Sequence, residues 1–533
     1  MTFDAQINRT KESYDLVQYD SLPFDYTHPA RIAAIASLFG MNPVRPSQAR
    51  ILEIGCAAGG NILPVAMQYP DAECVGIDIS EKQIAEGERV RAALGVTNLS
   101  LRALNLLDLG DELGKFDYII AHGVLSWVPA TVQMRLAGVM RDLLTEQGIG
   151  YLSYNTYPGW HCWEIARHLM FRASAHLDDP KERMAAALKA MNVFAEHGMN
   201  SADKPIASIL KAHLASIEKA PAFYVAHEFL EDNNAPLYFR DFVSLCANHD
   251  LRYLADMDFA GMFTDNYAPA VREYVESVSR QRYDQEELLD YASGRTFRRS
   301  LVVHGQTPID LNLEPRRLLP LYVASELRVA EVQDKPDELV FVHAKRADAR
   351  IGIKHALQQQ ALTLLGAHWP NYADLPSLLF LTYQHLGIDA SRLDDSQVTE
   401  DLNRLAEMFL QLFQRGLIEL QAEPQSFSTV PGECPIASPL ARWQAEQGRS
   451  GVTTLLHSVA NLDDGGRLLL PLLDGRRDRT RLLRDVANVM RTTGLRLRSD
   501  NRSSVDQAKD PAVVEVMLNS YLETFARSAL LCA

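Results

Sequence analysis

Short apolar runs alternate with amphipathic stretches over the first third of the chain. The apolar runs predict five strands, and the stretch before them predicts a helix over 31–40. Because strands that alternate with helices usually form parallel sheets covered on both faces, the pattern predicts an α/β doubly wound core over 31–177. The predicted strands are 50–54, 73–78, 98–103, 116–121 and 149–154.

A long helical stretch follows the fifth predicted strand. The pattern is helical from Trp160 to about residue 176 and again over 178–235. Two more strand candidates follow at 251–254 and 298–304. We expect them to complete the sheet as its sixth and seventh strands, with 178–235 as an inserted helical cap. The alternative is that they form a small domain of their own within 178–305.

The last part of the chain, 306–533, is rich in leucine and arginine and mostly helical in pattern. A helix and a short strand are predicted over 402–420, and a strand and turn over 468–475 before another helix. This order predicts a winged-helix-like domain. A basic run is interpreted as a solvated helix face with nearby acids, the alternative being an anionic partner. Its members are Arg476, Arg477, Arg479, Arg481 and Arg484.

The composition narrows the possible classes of protein. The chain has 533 residues, 47% hydrophobic and 23% charged, as expected of a globular protein with roughly two to four domains. A net charge of −15 argues against broad binding of nucleic acid. Six scattered cysteines without a C-x-x-C spacing indicate neither a zinc site nor a disulfide framework, so no metal is expected. Without a signal peptide or a long apolar run, we expect a cytoplasmic protein with no membrane insertion.

The segment Arg50–Asn61, RILEIGCAAGGN, carries the strongest functional signal. It predicts a buried strand, a tight turn at Gly55 and Gly59, and the start of a helix. A second apolar strand ends at Asp78. Glycines let a backbone approach its ligand, and a carboxylate after the second strand accepts ribose hydroxyls. The E-x-G-x-x-x-G spacing differs from that of dinucleotide sites and no P-loop lysine follows, so the expected nucleoside ligand carries no phosphate chain.

This turn resembles motif I of the class I S-adenosylmethionine (SAM) methyltransferases, whose fold is Rossmann-like. The alternative is a plain βαβ turn in another doubly wound protein. The resemblance implies that Asp78 anchors the ribose and that Glu53, Gly55 and Gly59 surround the amino-acid end of SAM. It also implies that Asn61 either caps the next helix or contacts the methionine carboxylate.

The third predicted strand is followed by Asp108, which by the same resemblance receives the adenine amino group. A helix N-cap is the alternative role for Asp108. The expected cofactor-binding residues are Tyr19, His28, Glu53, Gly55, Cys56, Ala57, Gly59, Asn61, Asp78, Ile79, Asn105, Leu106, Asp108 and His122.

Two further strand ends carry side chains suited to an acceptor. The fourth strand runs into AHGVLSWVP, which places His122 near the substrate, either as a base or as a hydrogen-bonded structural histidine. The fifth runs into SYNTYPGWH, whose aromatic rings could wall an ammonium ion and whose amide could accept its hydrogen bond. A packed loop that orders the fifth strand is the alternative. The expected catalytic residues are His122, Tyr154, Asn155, Trp160 and His161.

Residues 1–30 are unusually aromatic for a free terminal segment. We expect them to fold over the SAM pocket as a lid, and a functionless arm is the competing interpretation. The residues that suggest a lid are Tyr14, Tyr19, Phe24, Tyr26 and His28.

Several segments together resemble one bacterial family. These are YDSLPFDYTHP at 19–29, the glycine turn, AHGVLSWVP and SYNTYPGWH, with 238–263 similar to a regulatory-domain signature. The family comprises methyltransferases with a "methyltransferase regulatory domain" and includes rickettsial lysine methyltransferases that act on an outer-membrane protein. The resemblance implies SAM-dependent N-methylation of lysine in a protein substrate, a class I fold and a possible homodimer. A small-molecule methyltransferase and a catalytically silent SAM-binding scaffold are the alternatives.

Overall fold

The computed structural model describes residues 21–197, 205–332, 337–497 and 503–533. Its centre is a seven-stranded sheet with the strand order β3-β2-β1-β4-β5-β7-β6. Strands β1 to β5 run parallel, and β7 is antiparallel to both of its neighbours. The strands are β1 Arg50–Ile54, β2 Glu73–Asp78, β3 Leu99–Ala103, β4 Phe116–Ala121, β5 Leu144–Asn155, β6 Leu251–Asp256 and β7 Phe297–His304. The predicted α/β doubly wound fold is confirmed.

Successive residues of the central strands pack on opposite faces of this sheet. Ile51 and Tyr151 lie in one apolar core, whereas Leu52 and Leu152 lie in the other. A strand buried on both faces needs a near-continuous apolar sequence, which is why these runs predicted parallel strands.

Both late strand candidates lie in this sheet. β7 pairs with β5 along the register from Gly150 opposite Val302 to Asn155 opposite Phe297, and β6 pairs with the far side of β7. The helices as far as β7 are α1 Pro29–Leu38, α2 Ile62–Gln68, α3 Glu81–Ala93, α4 Ala130–Leu143, α5 Trp160–Ser174, α6 Pro180–His197, α7 Pro205–Ile217, α8 Ala222–Leu230, α9 Phe239–Ala247, α10 Pro269–Val278 and α11 Arg282–Ser293. Helices α5 to α9 thus occupy the connection between β5 and β6, and the first four of them form the inserted helical segment.

The helices of this connection enclose an apolar core of their own. Met170 of α5, Met191 of α6, Leu210 of α7 and Phe229 of α8 are all buried in it. Because one face of α8 is fixed in this core, the opposite face is available to line another part of the molecule.

The C-terminal part contains two small three-stranded sheets and a hairpin among eight helices in its described residues. Its helices are α12 Ala356–His368, α13 Leu375–Leu386, α14 Asp395–Gln414, α15 Pro439–Glu446, α16 Asp464–Leu469, α17 Arg479–Thr493, α18 Ser504–Gln507 and α19 Pro511–Arg527. Its strands are β8 Tyr322–Ala324, β9 Leu327–Val329, β10 Leu339–His343, β11 Arg346–Ile353, β12 Ala373–Asp374, β13 Glu419–Gln421, β14 Gly451–Thr453 and β15 Val459–Asn461.

The strand predicted over 468–475 is wrong. These residues continue α16 and then form a 3-10 turn over Leu470–Leu472. Asp463 caps α16, because its Oδ1 accepts a hydrogen bond of 2.7 Å from the backbone N–H of Gly466. An apolar run of this length fits a buried helix as well as a strand, and here the cap decides between them.

Polar contacts join the C-terminal part to the sheet domain. The guanidinium of Arg31 lies 2.7 Å from a carboxylate oxygen of Glu419, and the Ser47 hydroxyl donates to Glu423 over 2.7 Å. In the basic run, Arg477 pairs with Asp474, as expected of a solvated face with nearby acids. Within the described ranges, no helix is long and apolar enough to cross a membrane.

Candidate active site

A cavity of about 670 Å³ opens at the carboxyl ends of the parallel strands. This is the edge at which doubly wound sheets bind their ligands, and the volume is in the range of small-molecule sites. Of the residues expected at a site, it is lined by Glu53, Gly55, Cys56, Ala57, Asn61, Asp78, Ile79, Asn105, Leu106, His122, Asn155 and Trp160.

The turn after β1 forms one wall of this cavity with its backbone. Gly55 and Gly59 have φ angles of 73° and 76°, in the left-handed region that side chains disfavour. A Cβ on Gly55 would also lie 2.7 Å from a methyl group of Val124. Gly59 shapes the turn without lining the cavity.

Asp78 fixes the ends of β1 and β2 together. One of its carboxylate oxygens accepts from the backbone N–H of Ala57 and the other from that of Ser80, both at 2.9 Å. The carboxylate also lines the cavity beside Ile79 and Leu106. An acid beside two apolar side chains at this strand end fits a ribose and its base.

Glu53 presents a carboxylate oxygen to the cavity wall with no protein partner. Its Oε1 accepts from the Asn61 side chain at 2.8 Å, whereas Oε2 is buried without a hydrogen bond. Burial raises the pKa of Glu53 to about 8, an effect that the Asn61 hydrogen bond partly offsets. A bound ammonium group would satisfy Oε2.

Asn61 is a buried junction between three parts of the chain. Its Oδ1 accepts from the backbone N–H of Phe24 at 2.9 Å, the Thr27 hydroxyl at 2.9 Å and His457 Nε2 at 2.9 Å. The Asn61 side chain makes no cap to α2, so the capping role is wrong. Because Oδ1 and Nδ2 are both engaged within the protein, Asn61 acts on the cavity through Glu53.

His457 brings the C-terminal part to this junction. It lies in the turn between β14 and β15 with a φ of 56°, and its side chain is buried. Since Asn61 Oδ1 can only accept, His457 Nε2 carries the proton, and its buried Nδ1 is left without a partner. Burial therefore holds the pKa of His457 well below its ordinary value, and the ring is neutral.

The N-terminal segment crosses the glycine turn. The Ser21 hydroxyl accepts from the Gly60 N–H at 2.7 Å, and a Cβ on Gly60 would lie 2.1 Å from the Ser21 carbonyl oxygen. Phe24 packs on His122, with ring centroids 4.0 Å apart, and also lines the cavity. Of the expected lid residues, Tyr14 and Tyr19 lie outside the described residues.

His122 lies in the cavity wall after β4. Its Nδ1 is 2.9 Å from the Tyr151 hydroxyl and 3.2 Å from the Ser153 hydroxyl. Burial lowers the pKa of His122 to about 3, and the nearby Arg299 cation adds to this shift. The imidazole is therefore neutral at physiological pH and is held by two hydroxyl groups, as in the structural-histidine alternative.

Asn155 and Trp160 line the far end of the cavity. Both are almost fully buried, and neither Nδ2 of Asn155 nor Nε1 of Trp160 makes a hydrogen bond. Buried donors without partners are rare in folded proteins, and these two lie in a cavity wall. They indicate a position for a polar group of a ligand.

Comparisons with known proteins match three parts of the chain. Residues 52–149 match a family described as a methyltransferase domain, 221–304 a "predicted methyltransferase regulatory domain", and 433–530 a "PKMT, C-terminal winged helix domain". An uncharacterized protein of Rickettsia prowazekii is 28% identical over 526 residues, 97% of this chain and 93% of that protein. Another from the same organism is 36% identical over 233 residues, 44% of this chain and 93% of that protein.

Solved structures resemble the whole chain. PKMT2 from Rickettsia typhi superimposes with a TM-score of 0.83 at 26% identity, over 97% of this chain and 100% of that chain. The same protein in complex with AdoHcy gives a TM-score of 0.84 at 26% identity, covering 96% and 99%.

This chain belongs to the class I SAM-dependent methyltransferases with a methyltransferase regulatory domain. The expected cofactor, SAM, is confirmed, as is the winged-helix-like C-terminal domain. The cavity residues of this methyltransferase fit SAM, because Glu53 leaves a buried oxygen unsatisfied and Gly55 leaves room that a Cβ would fill. No group of three or more potential metal ligands occurs among the residues that the structure describes.

Three expected cofactor-side residues of the methyltransferase lie away from the cavity lining, namely Gly59, Asp108 and His28. Asp108 is exposed at the end of the 3-10 turn Leu106–Asp108, and its expected capping alternative is also wrong, because the Asn105 side chain caps this turn by accepting from the Leu107 N–H at 3.1 Å. His28 is buried as the cap of α1 and bonds to Gln68 at 3.0 Å. Tyr19 lies outside the described residues.

Two expected catalytic residues also lie away from this cavity. Tyr154 points to the opposite face of β5 from the cavity-lining Asn155, because side chains alternate along a strand. It stacks on Phe242 with ring centroids 4.4 Å apart. His161 is half-exposed at the start of α5, where Nδ1 lies 3.2 Å from a Glu164 oxygen. The aromatic-wall and relay roles for these two residues are therefore wrong.

Several cavity residues that no sequence motif marks come from distant elements. Strand β7 supplies Phe297 and Arg299, and Thr296 is the residue before it. The helical insertion supplies Trp163, Tyr224, His227 and Glu228. Arg299 lies over the Tyr26 ring at 4.4 Å and has no ion pair within the described part of the chain. No local motif marks these residues, and only the pairing of β7 with β5 predicts that 297–299 approach the site.

Proposed function

We propose that this methyltransferase transfers the methyl group of SAM to the side-chain nitrogen of lysine in a protein substrate. The observation that carries the proposal is the far end of the cavity, where Asn155, Trp160, Trp163, Tyr224 and Glu228 surround one space. An amide, a carboxylate and aromatic rings are the groups that bind an alkylammonium ion. The whole-chain likeness to PKMT2, a protein lysine methyltransferase by its abbreviation, supports the same acceptor.

The other end of the cavity accounts for the cofactor. We assign Asp78 to the ribose hydroxyls, Leu106 and Ile79 to the adenine ring, and Gly55 with Glu53 to the amino-acid end of SAM. The buried Oε2 of Glu53 would accept from the methionine ammonium group, and Arg299 would bind its carboxylate. These assignments leave the Asn155 end free for the acceptor.

Methyl transfer from SAM requires the protein mainly to align the reactants and to remove water from the acceptor. SAM supplies an activated methyl group on a sulfonium, and a neutral thioether leaves as the new N–C bond forms. The protein must hold a neutral amine in line with that methyl group, at near-attack distance. Cavity walls of buried aromatic rings and a neutral His122 remove water from this space, which favours the uncharged amine.

A carboxylate acceptor on a small molecule is the second candidate. Arg299 favours it, because its guanidinium faces the cavity without an ion pair among the described residues and could bind an acceptor carboxylate in place of the methionine carboxylate. Over shorter segments, the chain is also similar to trans-aconitate 2-methyltransferase of Methylobacterium nodulans, at 28% identity over 126 residues. That match covers 23% of this chain and 44% of that protein, against nearly the whole chain for PKMT2.

The experiment that separates these functions uses purified protein and methyl-labelled SAM. It is incubated with a lysate of its own host and, separately, with the small-molecule fraction of that lysate. We expect alkali-stable label in a discrete protein band, since N-methyl groups survive alkali and carboxyl esters do not. Label confined to the small-molecule fraction would overturn the proposal in favour of the second candidate.

A further inference from the structure

Helix α8 of the inserted segment has one side in the helical core and one side in the active-site cavity. Val225 and Phe229 are buried among residues of α5 to α7. Tyr224 and Glu228, four residues apart on the other side, line the cavity. Residues four apart lie on one helix face, so α8 presents Glu228 to the cavity as a fixed part of its wall.

Glu228 differs from the other acids that line this cavity. Asp25 pairs with Arg31, Asp78 holds two backbone N–H groups, and Glu53 is bonded to Asn61. The Glu228 carboxylate makes no close ion pair among the described residues, and the protein groups that act on it are the neighbouring Asn155 amide and Arg167.

Arg167 of α5 is the cation that acts on Glu228, but its hydrogen bonds go to other groups. It donates to the backbone carbonyl oxygens of Phe229 and Glu231. Burial raises the pKa of Glu228 to about 7, an effect that the nearby Asn155 amide and Arg167 offset only in part. The charged form of a carboxylate in such surroundings is stabilised most by a cation that enters with a ligand.

Asn155 lies beside Glu228 in the cavity wall. Its side chain is close enough to lower the pKa of the Glu228 carboxyl, although its buried Nδ2 makes no close hydrogen bond to a described residue. Trp160 and Trp163 stack on each other, with ring centroids 6.3 Å apart, and both line the cavity. The acceptor end thus combines aromatic rings with a neighbouring carboxylate and amide.

We infer that Glu228 is the residue that binds the acceptor nitrogen, by accepting a hydrogen bond from the lysine ammonium or amine, while the oxygen of the neighbouring Asn155 amide accepts from the same nitrogen. This inference rests on the proposed function and names the specificity residue of that site. The inserted helices would then select amine acceptors, while the sheet domain binds SAM.

The test uses two conjugates that fill both halves of the cavity. Each joins the adenosyl and amino-acid parts of SAM through a two-carbon linker to a butyl arm. In one the arm is attached through a secondary amine, and in the other through an ether oxygen. Binding is measured by calorimetry on wild type, Glu228→Gln and, as a control, Glu218→Gln, which removes an exposed acid after α7 of the same insertion. S-adenosylhomocysteine binding is measured on all three proteins.

Wild type and Glu218→Gln should bind the amine conjugate about tenfold or more tightly than the ether, as expected for a charge-assisted hydrogen bond. Glu228→Gln should lose most of this preference while its affinity for S-adenosylhomocysteine is unchanged. If Glu228→Gln keeps the full preference, the assignment of Glu228 is wrong although the lysine proposal stands. If wild type shows no preference for the amine, the proposed function itself fails.

Discussion

The two ends of the cavity are built in different ways. The SAM end comes mainly from one continuous segment, 53–106, in which backbone groups and the carboxylates of Glu53 and Asp78 form most of the wall. The acceptor end combines the strand ends at 122 and 155 with residues from α5, α8 and β7. The first end depends on local conformation, and the second depends on how distant elements pack.

This difference indicates which end of the cavity can change its substrate specificity in such a fold. The SAM end is constrained by positive φ angles and by close approaches at Gly55 and Gly60, so few substitutions fit there. The acceptor end is lined by side chains on an insertion whose helices have their own core. Its surface can therefore vary while the sheet and the SAM end stay the same.

Asp78→Ala should have the largest effect of these substitutions, and that effect should be on SAM binding. It removes the expected ribose contacts and also two hydrogen bonds that hold the turn at Ala57 and Ser80. We expect SAM affinity to fall by about 100-fold or more, as for the loss of a buried charged acceptor. Calorimetry with SAM measures it, with the exposed Asp71→Ala as the control. Unchanged affinity would remove Asp78 from the site.

Gly60→Ala should test whether the N-terminal segment belongs to the SAM end. The added Cβ would lie 2.1 Å from the Ser21 carbonyl oxygen, so the segment must move off the turn. We expect SAM to bind about tenfold more weakly, since overpacking of this kind costs about 1–3 kcal/mol. Gly432→Ala, where a Cβ meets nothing within 4 Å, is the matched control. Equal affinity in both variants would show that residues 21–26 do not cover the ligand.

His457→Ala should show whether the C-terminal part supports the SAM end. It removes a buried hydrogen bond to Asn61, which in turn holds Glu53. Loss of such a bond costs about 1–3 kcal/mol, so we expect about fivefold weaker SAM binding and a lower melting temperature. The exposed His355→Ala is the control. A lower melting temperature with unchanged SAM affinity would limit His457 to a structural role.

His122→Gln should have the smallest effect on turnover. Because burial lowers the pKa of His122 to about 3, the ring is neutral from about pH 5 to 9. Its replacement therefore removes no titrating group in that range. Glutamine can still accept from the Tyr151 hydroxyl. We expect kcat to change less than about threefold with the same pH profile, whereas loss of a general base costs about 100-fold or more. A pH profile that flattens in the variant would contradict a structural role.

The parts of the molecule that the sequence predicted are those set by local pattern. All five predicted core strands and the two late strands are present, because each is an apolar run with turn residues on both sides. Asp78 and Gly55 line the cavity because a turn between consecutive strands has only a few possible geometries.

Features that depend on contacts between distant segments could not be predicted from the local sequence pattern. Tyr154 and Asn155 are neighbours in one strand, and only the packing of Phe242 against the sheet shows which of them faces the cavity. Glu228 lies more than sixty residues beyond the last sequence motif, which ends at His161, on a helix whose sequence resembles any amphipathic helix. Asp108 and His28 failed as site residues because polar side chains at element ends also serve as caps or stay exposed in water.

The most direct test of the account identifies the chemical product. Protein labelled in a host lysate by the purified enzyme and methyl-labelled SAM is hydrolysed in acid, and its amino acids are separated. We expect the label to be recovered as N-methylated lysine, and we expect Asp78→Ala to yield almost none. Label recovered on any other amino acid, or released as methanol by mild alkali before hydrolysis, would contradict it.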